Sequence, residues 1–444
     1  MKRFLLIPLA TILVTAVIFG GCARPAAEVP KEIRVGDPAS LTGPVAAFGE
    51  GGVFGVQAAV DDINKLGGVY VEEYGKKLPI KYIVVDTESD PLKTGTLAED
   101  LIVRDKVHFL GTHLEPPHMR APVATVAERY KILAVMGTGP FESWQGMRME
   151  VTPPWQYTWG YGFAIGTPFP PGDFRADNPG YLMMGTWGGI LDEYAGLTNK
   201  KVGAFGADDP DGKGWYMGFI PGAVEMGLDV YRADEQFGIY PVGTTDFSPI
   251  IQEWKDYGCE IIWGNCPGVD FGTLLRQSHM LGFQPPMVFS TRAALFYTDI
   301  NAWGGNLPHG VTMEYFWSPE LIGCPGIGDT TPQSLFERWQ AATGEPLNQS
   351  IGWCYMGIQI LIDAIERAGT LDADAVSKAV GETDMMSIFH RVVFLEDSQC
   401  HLLPCAMGQW VRTDNPWVWE APVVFSYNDF LPATAEFLFP IPYD

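Results

Sequence analysis

Apolar and polar positions alternate along Ile33-Arg34-Val35, a period of two that predicts a strand, and Gly43-Pro44 breaks the run. Val53, Val56, Val60 and Ile63 then recur at three- and four-residue steps, which draws one apolar stripe along a helix. Asp61 and Asp62 lie off that stripe, and Gly67-Gly68 follows where a left-handed cap would end the helix. The opening unit is therefore strand, loop, helix. Loops after parallel strands open at the carboxyl edge of a sheet beside helix N-termini, so residues 40–50 form a candidate binding loop. Leu78 to Asp86 then reads as a strand, Leu92 to Arg104 as a helix, Val107 to Leu110 as a buried strand, Ala121 to Arg129 as a helix and Ile132 to Val135 as a strand. This alternation predicts a doubly wound α/β lobe over residues 31–150.

Residues 145–181 carry Pro153-Pro154-Trp155, Pro168, Pro170-Pro171 and Pro179, so regular structure is not expected over most of them; they read as a crossing plus a long loop. A second series follows, with helix Leu182 to Leu197, strand Lys201 to Phe205, helix Trp215 to Met226, strand Leu228 to Tyr231, helix Pro249 to Tyr257, strand Glu260 to Trp263 and helix Phe271 to Leu281. Pro285-Pro286 punctuates the chain before strand Met287 to Phe289.

A chain of 444 residues accommodates two or three domains, and 47% hydrophobic with 18% charged residues is a globular composition. The net charge of -24, from 29 Lys and Arg against 53 Asp and Glu, argues against nucleic-acid backbones and anionic membrane surfaces as partners. Lys2-Arg3, an apolar run from Phe4 to Phe19 and Gly20-Gly21-Cys22 read as a signal peptide over residues 1–22. The small residues before Cys22 resemble the lipobox of bacterial lipoproteins, with Phe19 where Leu is usual; the other reading is an ordinary cleavage site near Cys22. Residues 23–30 read as a tether. No later apolar run reaches the ~20 residues that span a bilayer, so a lipid on Cys22 is the expected membrane attachment, at the periplasm or cell surface. Among the other six cysteines, Cys400 and Cys405 bracket a short Pro-containing turn and are the expected disulfide; Cys259, Cys266, Cys324 and Cys354 read as buried thiols.

No P-loop, Gly-x-Ser-x-Gly elbow or His-Glu-x-x-His is present, so neither an enzyme nor a cofactor is expected. Gly137-Thr138-Gly139-Pro140 is too short for a dinucleotide loop. His113-Leu114-Glu115-Pro116-Pro117-His118 offers two imidazoles and a carboxylate, but its prolines deny it a helical presentation and no further ligand is in view; it reads as a polar pocket wall before a zinc site. Asp208-Asp209-Pro210-Asp211-Gly212-Lys213-Gly214 lacks the twelfth-position Glu of a calcium loop.

Ser40-Leu41-Thr42-Gly43-Pro44, Phe48-Gly49, Ala58-Ala59-Val60, Ile63-Asn64, Gly67-Gly68-Val69, Asp90-Pro91, Ala121-Pro122-Val123-Ala124, Asp246-Phe247-Ser248-Pro249-Ile250-Ile251 and Leu274-Leu275-Arg276-Gln277 stand in one order along the chain. In that order they resemble the type I periplasmic solute-binding proteins, the branched-chain amino-acid receptor family of ABC importers. The resemblance implies an α/β fold of two doubly wound Rossmann-like lobes joined by a three-segment hinge, with residues 31–150 plus 285–388 as lobe one and 151–284 plus 389–444 as lobe two and tail. It further implies a small organic ligand between the lobes, and the permease and ATPases of an importer as partners. The other reading of the same fold is a ligand-sensing receptor of a regulatory system.

By the same resemblance Phe48 stacks over the ligand. Glu115 falls where those receptors carry a Ser that holds the ligand's α-carboxylate, and Arg292 where they carry the acid that pairs with its α-ammonium. The charge pattern thus reads as reversed, favouring an organic or aromatic acid, or an amide, over a branched-chain amino acid. The alternative is that Glu115 and Arg292 pair with each other or with surface groups. Pro116, Thr138, Gly139, Tyr161, Asp211, Pro267 and Trp317 complete the expected ligand-binding set, with Phe141, Trp144 and Trp215 as further candidate walls.

Overall fold

A computed structural model describes residues 29–111 and 113–443. The signal peptide, Cys22 and most of the tether lie outside the described residues. Strand Ile33–Ala39, buried along almost its whole length, runs into a turn and then helix Ala46–Lys65, as the two periodicities require. Asp62 departs from the expectation of a solvated face. It is 7% exposed and accepts from Tyr355 Oη at 2.8 Å, Thr330 Oγ1 at 2.7 Å and Arg338 Nη1 at 2.7 Å, so donors from the far end of the chain satisfy it.

Two sheets organise the chain. The first runs Asp384–Met386, Arg391–Leu395, Cys400–Leu402, Thr158–Phe163, Ala134–Pro140, Phe109–Leu110, Ile33–Ala39, Ile80–Asp86, parallel from Cys400–Leu402 onward. The second runs Ile239–Tyr240, Lys201–Ala207, Ile261–Asn265, Met287–Ser290, Thr312–Tyr315, Ala406–Gln409, Val423–Phe425, with its first five strands parallel. Helix Ala46–Lys65 covers the first sheet together with helix Ser350–Ala368. These two helices approach closely because Gly55 has no side chain: a Cβ there would lie 2.2 Å from the carbonyl oxygen of Ile351.

The strand pairing moves the expected lobe boundaries. Met287–Ser290 and Thr312–Tyr315, expected in lobe one, pair in the second sheet, where Ile261–Asn265 is the parallel neighbour of Met287–Ser290. Consecutive strands of a βαβ unit pair by default, so Pro285-Pro286 marks a helix-to-strand turn within one lobe. Thr158–Phe163, Arg391–Leu395 and Cys400–Leu402, expected in lobe two, pair in the first sheet. The chain still passes between sheets three times, between residues 163 and 183, 315 and 350, and 402 and 406. Buried Asn428 stitches the first and third passages together: its Nδ2 donates to Gly180 O at 3.0 Å and Cys405 O at 3.2 Å, and its Oδ1 accepts from Asn178 Nδ2 at 3.0 Å.

Thr158–Phe163 and helix Phe141–Glu150 overlap the stretch expected to be irregular. The strand alternates Trp159, Tyr161 and Phe163 with Gly160 and Gly162, and its apolar residues are buried. The expected disulfide is also overturned. Cys400 and Cys405 are both free, as are Cys259, Cys266, Cys324 and Cys354, and all six are buried. Cys400 sits in a strand of the first sheet, whereas Cys405 abuts a strand of the second. The chain therefore runs away from itself over the five intervening steps, whereas a disulfide needs Cα atoms within about 7 Å.

Candidate functional site

The carboxyl edges of the two sheets face each other across a narrow cavity with room for about 30 Å³. Lobe one contributes Phe48 from the first helix, Leu114, Glu115 and Pro116 from the loop after Phe109–Leu110, Gly139 and Pro140 at the end of their strand, and Phe163 at the end of the next. Lobe two contributes Asp211 at the start of helix Pro210–Glu225, Asn265 at its strand's end, Arg292 just past Met287–Ser290, and Glu314 from Thr312–Tyr315. Gln349, Ser350 and Trp353 close the site where the second passage enters its helix. In this arrangement the free space is far smaller than a molecule of amino-acid size needs.

Of the expected residues, Phe48, Glu115, Pro116, Gly139, Asp211 and Arg292 meet in this cavity. Four do not. Thr138 turns its hydroxyl to Tyr161 O at 3.4 Å, and Tyr161 itself is fully buried in the lobe-one core. Pro267 caps helix Gly268–Met280, its carbonyl accepting from Asp270 N and Phe271 N at 3.1 Å. Trp317 donates its Nε1–H to Ile388 O at 3.0 Å and packs where Gly352 leaves space. Among the further wall candidates Trp215 lines the cavity, while Trp144 packs on Trp155 and Phe141 joins a cluster with Phe169 and Tyr181. Sequence reasoning missed Phe163, Phe296, Glu314, Phe316 and Trp353. One signal for Glu314 was present: it is the lone acid in the apolar run from Val311 to Trp317.

Glu115 belongs to a network of buried ionised groups. Its Oε1 accepts from Ser40 N at 2.7 Å and lies 3.1 Å from His113 Nε2, and Arg120 Nη2 lies 3.7 Å from its Oε2. On the far side of the imidazole, His113 Nδ1 is 2.7 Å from Asp37 Oδ1, and Asp37 Oδ2 accepts from Tyr82 Oη at 2.8 Å. Burial resists ionisation of Glu115, but Arg120 and His113 overcome it and hold the carboxyl at about 2. Burial and Arg120 also oppose protonation of His113, yet Asp37 and Glu115 prevail and raise it above the ordinary histidine value. Two acids and two cations thus balance within lobe one.

Arg292 is not open to an anion in the way the sequence suggested. Its Nη2 donates to Asp209 Oδ2 at 2.9 Å, and its Nη1 lies 3.1 Å from Asp211 Oδ2. Each of Glu115 and Arg292 therefore pairs inside its own lobe, and neither with the other. Burial pushes Asp211 up to about 6 against the pull of Arg292, with Asp209 adding to the rise, whereas Arg292 and the Gly212 amide outweigh burial at Asp209 and lower it. Glu314, 2% exposed, is raised well above the carboxylate range by burial and by Asp211, with only partial relief from Arg292. An acid-rich floor in lobe two thus faces a charge-balanced wall in lobe one, between aromatic sides.

The architecture has known counterparts. The profile of the periplasmic binding protein family matches residues 32–414. A Leu/Ile/Val-binding protein homolog from Brucella melitensis is 26% identical over 371 residues, covering 83% of this chain and 88% of that relative. A leucine-binding protein from Thermotoga maritima superposes with a TM-score of 0.68 at 17% identity, over 89% of this chain and 99% of that one. A solute-binding protein from R. palustris, solved in complex with 4-hydroxybenzoate, gives 0.67 at 18% identity, over 90% and 98%. With two mostly parallel sheets, three connecting passages and a site between carboxyl edges, the chain has the type I fold and belongs to the periplasmic binding protein family.

Proposed function

We propose that this protein captures one small organic molecule between its lobes and presents it to the permease of an ABC importer, held at the membrane through a lipid on Cys22. The observation that carries the reading is the shared cavity: its walls come from both sheets and from the passages that join them, so a ligand there bridges the lobes and stabilises their closed arrangement. The residues present serve binding. Aromatic walls supply apolar contact area, and the ionised groups are paired within each lobe instead of being poised beside a nucleophile. The ligand preference once drawn from a free Arg292 loses its basis, because two carboxylates already hold that cation.

Thermal-shift screening against amino acids, organic acids, amines and aromatics tests the reading, since a ligand that binds only the folded chain raises its melting point. A hit should also make the particle more compact in small-angle scattering and be recovered chemically unchanged. Turnover of the hit, or equal compactness with and without it, refutes the proposal.

A further inference from the structure

Four charged side chains line the cavity, namely Glu115, Asp211, Arg292 and Glu314, and three of them are acids. Glu115 is answered from behind by Arg120 and His113. Arg292, the one cation in the lining among the described residues, spends its terminal nitrogens on Asp209 and Asp211. Glu314 is left over: it is 2% exposed, and among the described residues its Oε2 has no hydrogen-bond partner and, unlike Glu115, no cation within ion-pair distance. The groups that face it are Asp211 from helix Pro210–Glu225, Arg292 from the turn after Met287–Ser290, and Cys405 from the third passage. None of these is a spare cation. Around this floor stand Phe48, Phe163, Trp215, Phe296, Phe316 and Trp353, with Phe316 and Trp353 edge to face at 4.9 Å and Phe163 and Trp215 tilted at 5.5 Å.

Resting on the receptor reading above, we propose that the cleft selects an organic ammonium, a cationic nitrogen on an apolar or aromatic body, with Glu314 as the carboxylate that receives it. Ring faces attract a cation through their quadrupole, and a charge-assisted bond to a buried carboxylate is stronger than a neutral one. A ligand carboxylate would instead find no free cation, since Arg292 is already held by Asp209 and Asp211, and it would oppose any ionisation of Glu314 beside it. Glu314 holds its proton when it has only Asp211 and Arg292 for company; a bound ammonium favours its ionised form. Uptake therefore releases one proton from Glu314 to solvent, and affinity weakens as pH falls.

The test uses the full chain and two matched series, one on a benzyl and one on an isobutyl body, each bearing an ammonium, a carboxamide or a carboxylate. The ammonium members should give the largest rise in melting temperature. Calorimetry in two buffers of different ionisation enthalpy should register a proton released on binding. Glu314→Gln keeps shape and removes the ionisable proton, so it should fold with an unchanged melting temperature, bind the ammonium probes at least about tenfold more weakly and release no proton. Tighter binding of the carboxylate or carboxamide members overturns this inference and leaves the receptor reading standing. Undiminished ammonium binding by Glu314→Gln overturns the role of that residue. Silence from both series, while the wider screen of the receptor reading finds a closing ligand without a cationic nitrogen, also overturns it; silence in both screens overturns the two readings together.

Discussion

Replacing Arg292 with alanine removes the cation that stands between Asp209 and Asp211. The guanidinium side chain is 5% exposed and the two carboxyls 17% and 5%, so the charges left behind cannot be rescued by bulk water. Removing one member of a buried ion pair costs about 3–5 kcal/mol. The lower end is expected, because Asp209 keeps the Gly212 amide at 2.7 Å and Asp211, already near 6, can take up a proton. For a lobe of roughly 200 residues, about 3 kcal/mol lowers the melting temperature by about 6–12 °C. The deficit depends on pH with a definite sign. Asp211 holds its proton to higher pH in the folded lobe than in the unfolded chain, and more so without Arg292; the folded form is thus penalised above that raised pKa and recovers as pH falls toward 4. Calorimetric melting of parent and Arg292→Ala at pH 8 and pH 5 should show a large gap at the first and a smaller one at the second. Arg292→Lys should recover only part, since a point charge cannot fork onto two carboxyls. An unchanged melting temperature accompanied by lost ligand affinity would refute this reasoning and return Arg292 to the ligand.

Further outcomes follow from other parts of the molecule. Gly55→Ala forces a methyl against the Ile351 carbonyl and should cost about 1–3 kcal/mol by denaturant titration, a neutral result showing that the two helices have slack. Denatured, unreduced protein should titrate all of Cys259, Cys266, Cys324, Cys354, Cys400 and Cys405 with a thiol reagent, while the native protein stays largely unreactive; two missing thiols would restore the disulfide. Cys22→Ser should move the protein from the membrane to the soluble fraction on fractionation, and unchanged detergent dependence would rule out the lipid.

What could be read from the chain was what is local. The strand Ile33–Ala39 and helix Ala46–Lys65 were legible because their periods are clean. Of the six site residues reached, Phe48, Glu115 and Arg292 came through the resemblance to the receptor family, while Asp211 was also marked by its place in a loop after a strand. The misses are non-local. Arg292 finds Asp209 across 83 residues, a pairing that no spacing announces. Which sheet takes Met287–Ser290 depends on a neighbour brought back by a helix. Thr138 and Tyr161 lie near strand ends at the cleft, yet packing turns them into the core. Strand Thr158–Phe163 was hidden because glycines and nearby prolines imitate a loop.

Asn428 has a mechanical consequence. By bonding to Gly180 on one passage and Cys405 on another, it fuses two of the three connections into one strap. Only four peptide steps separate Leu402 in one sheet from Ala406 in the other, so those two points can never be more than about 14 Å apart. Sliding or separation of the lobes at this passage is held within that reach. Rotation about this strap, with the passage between residues 315 and 350 turning alongside it, is the movement these connections favour.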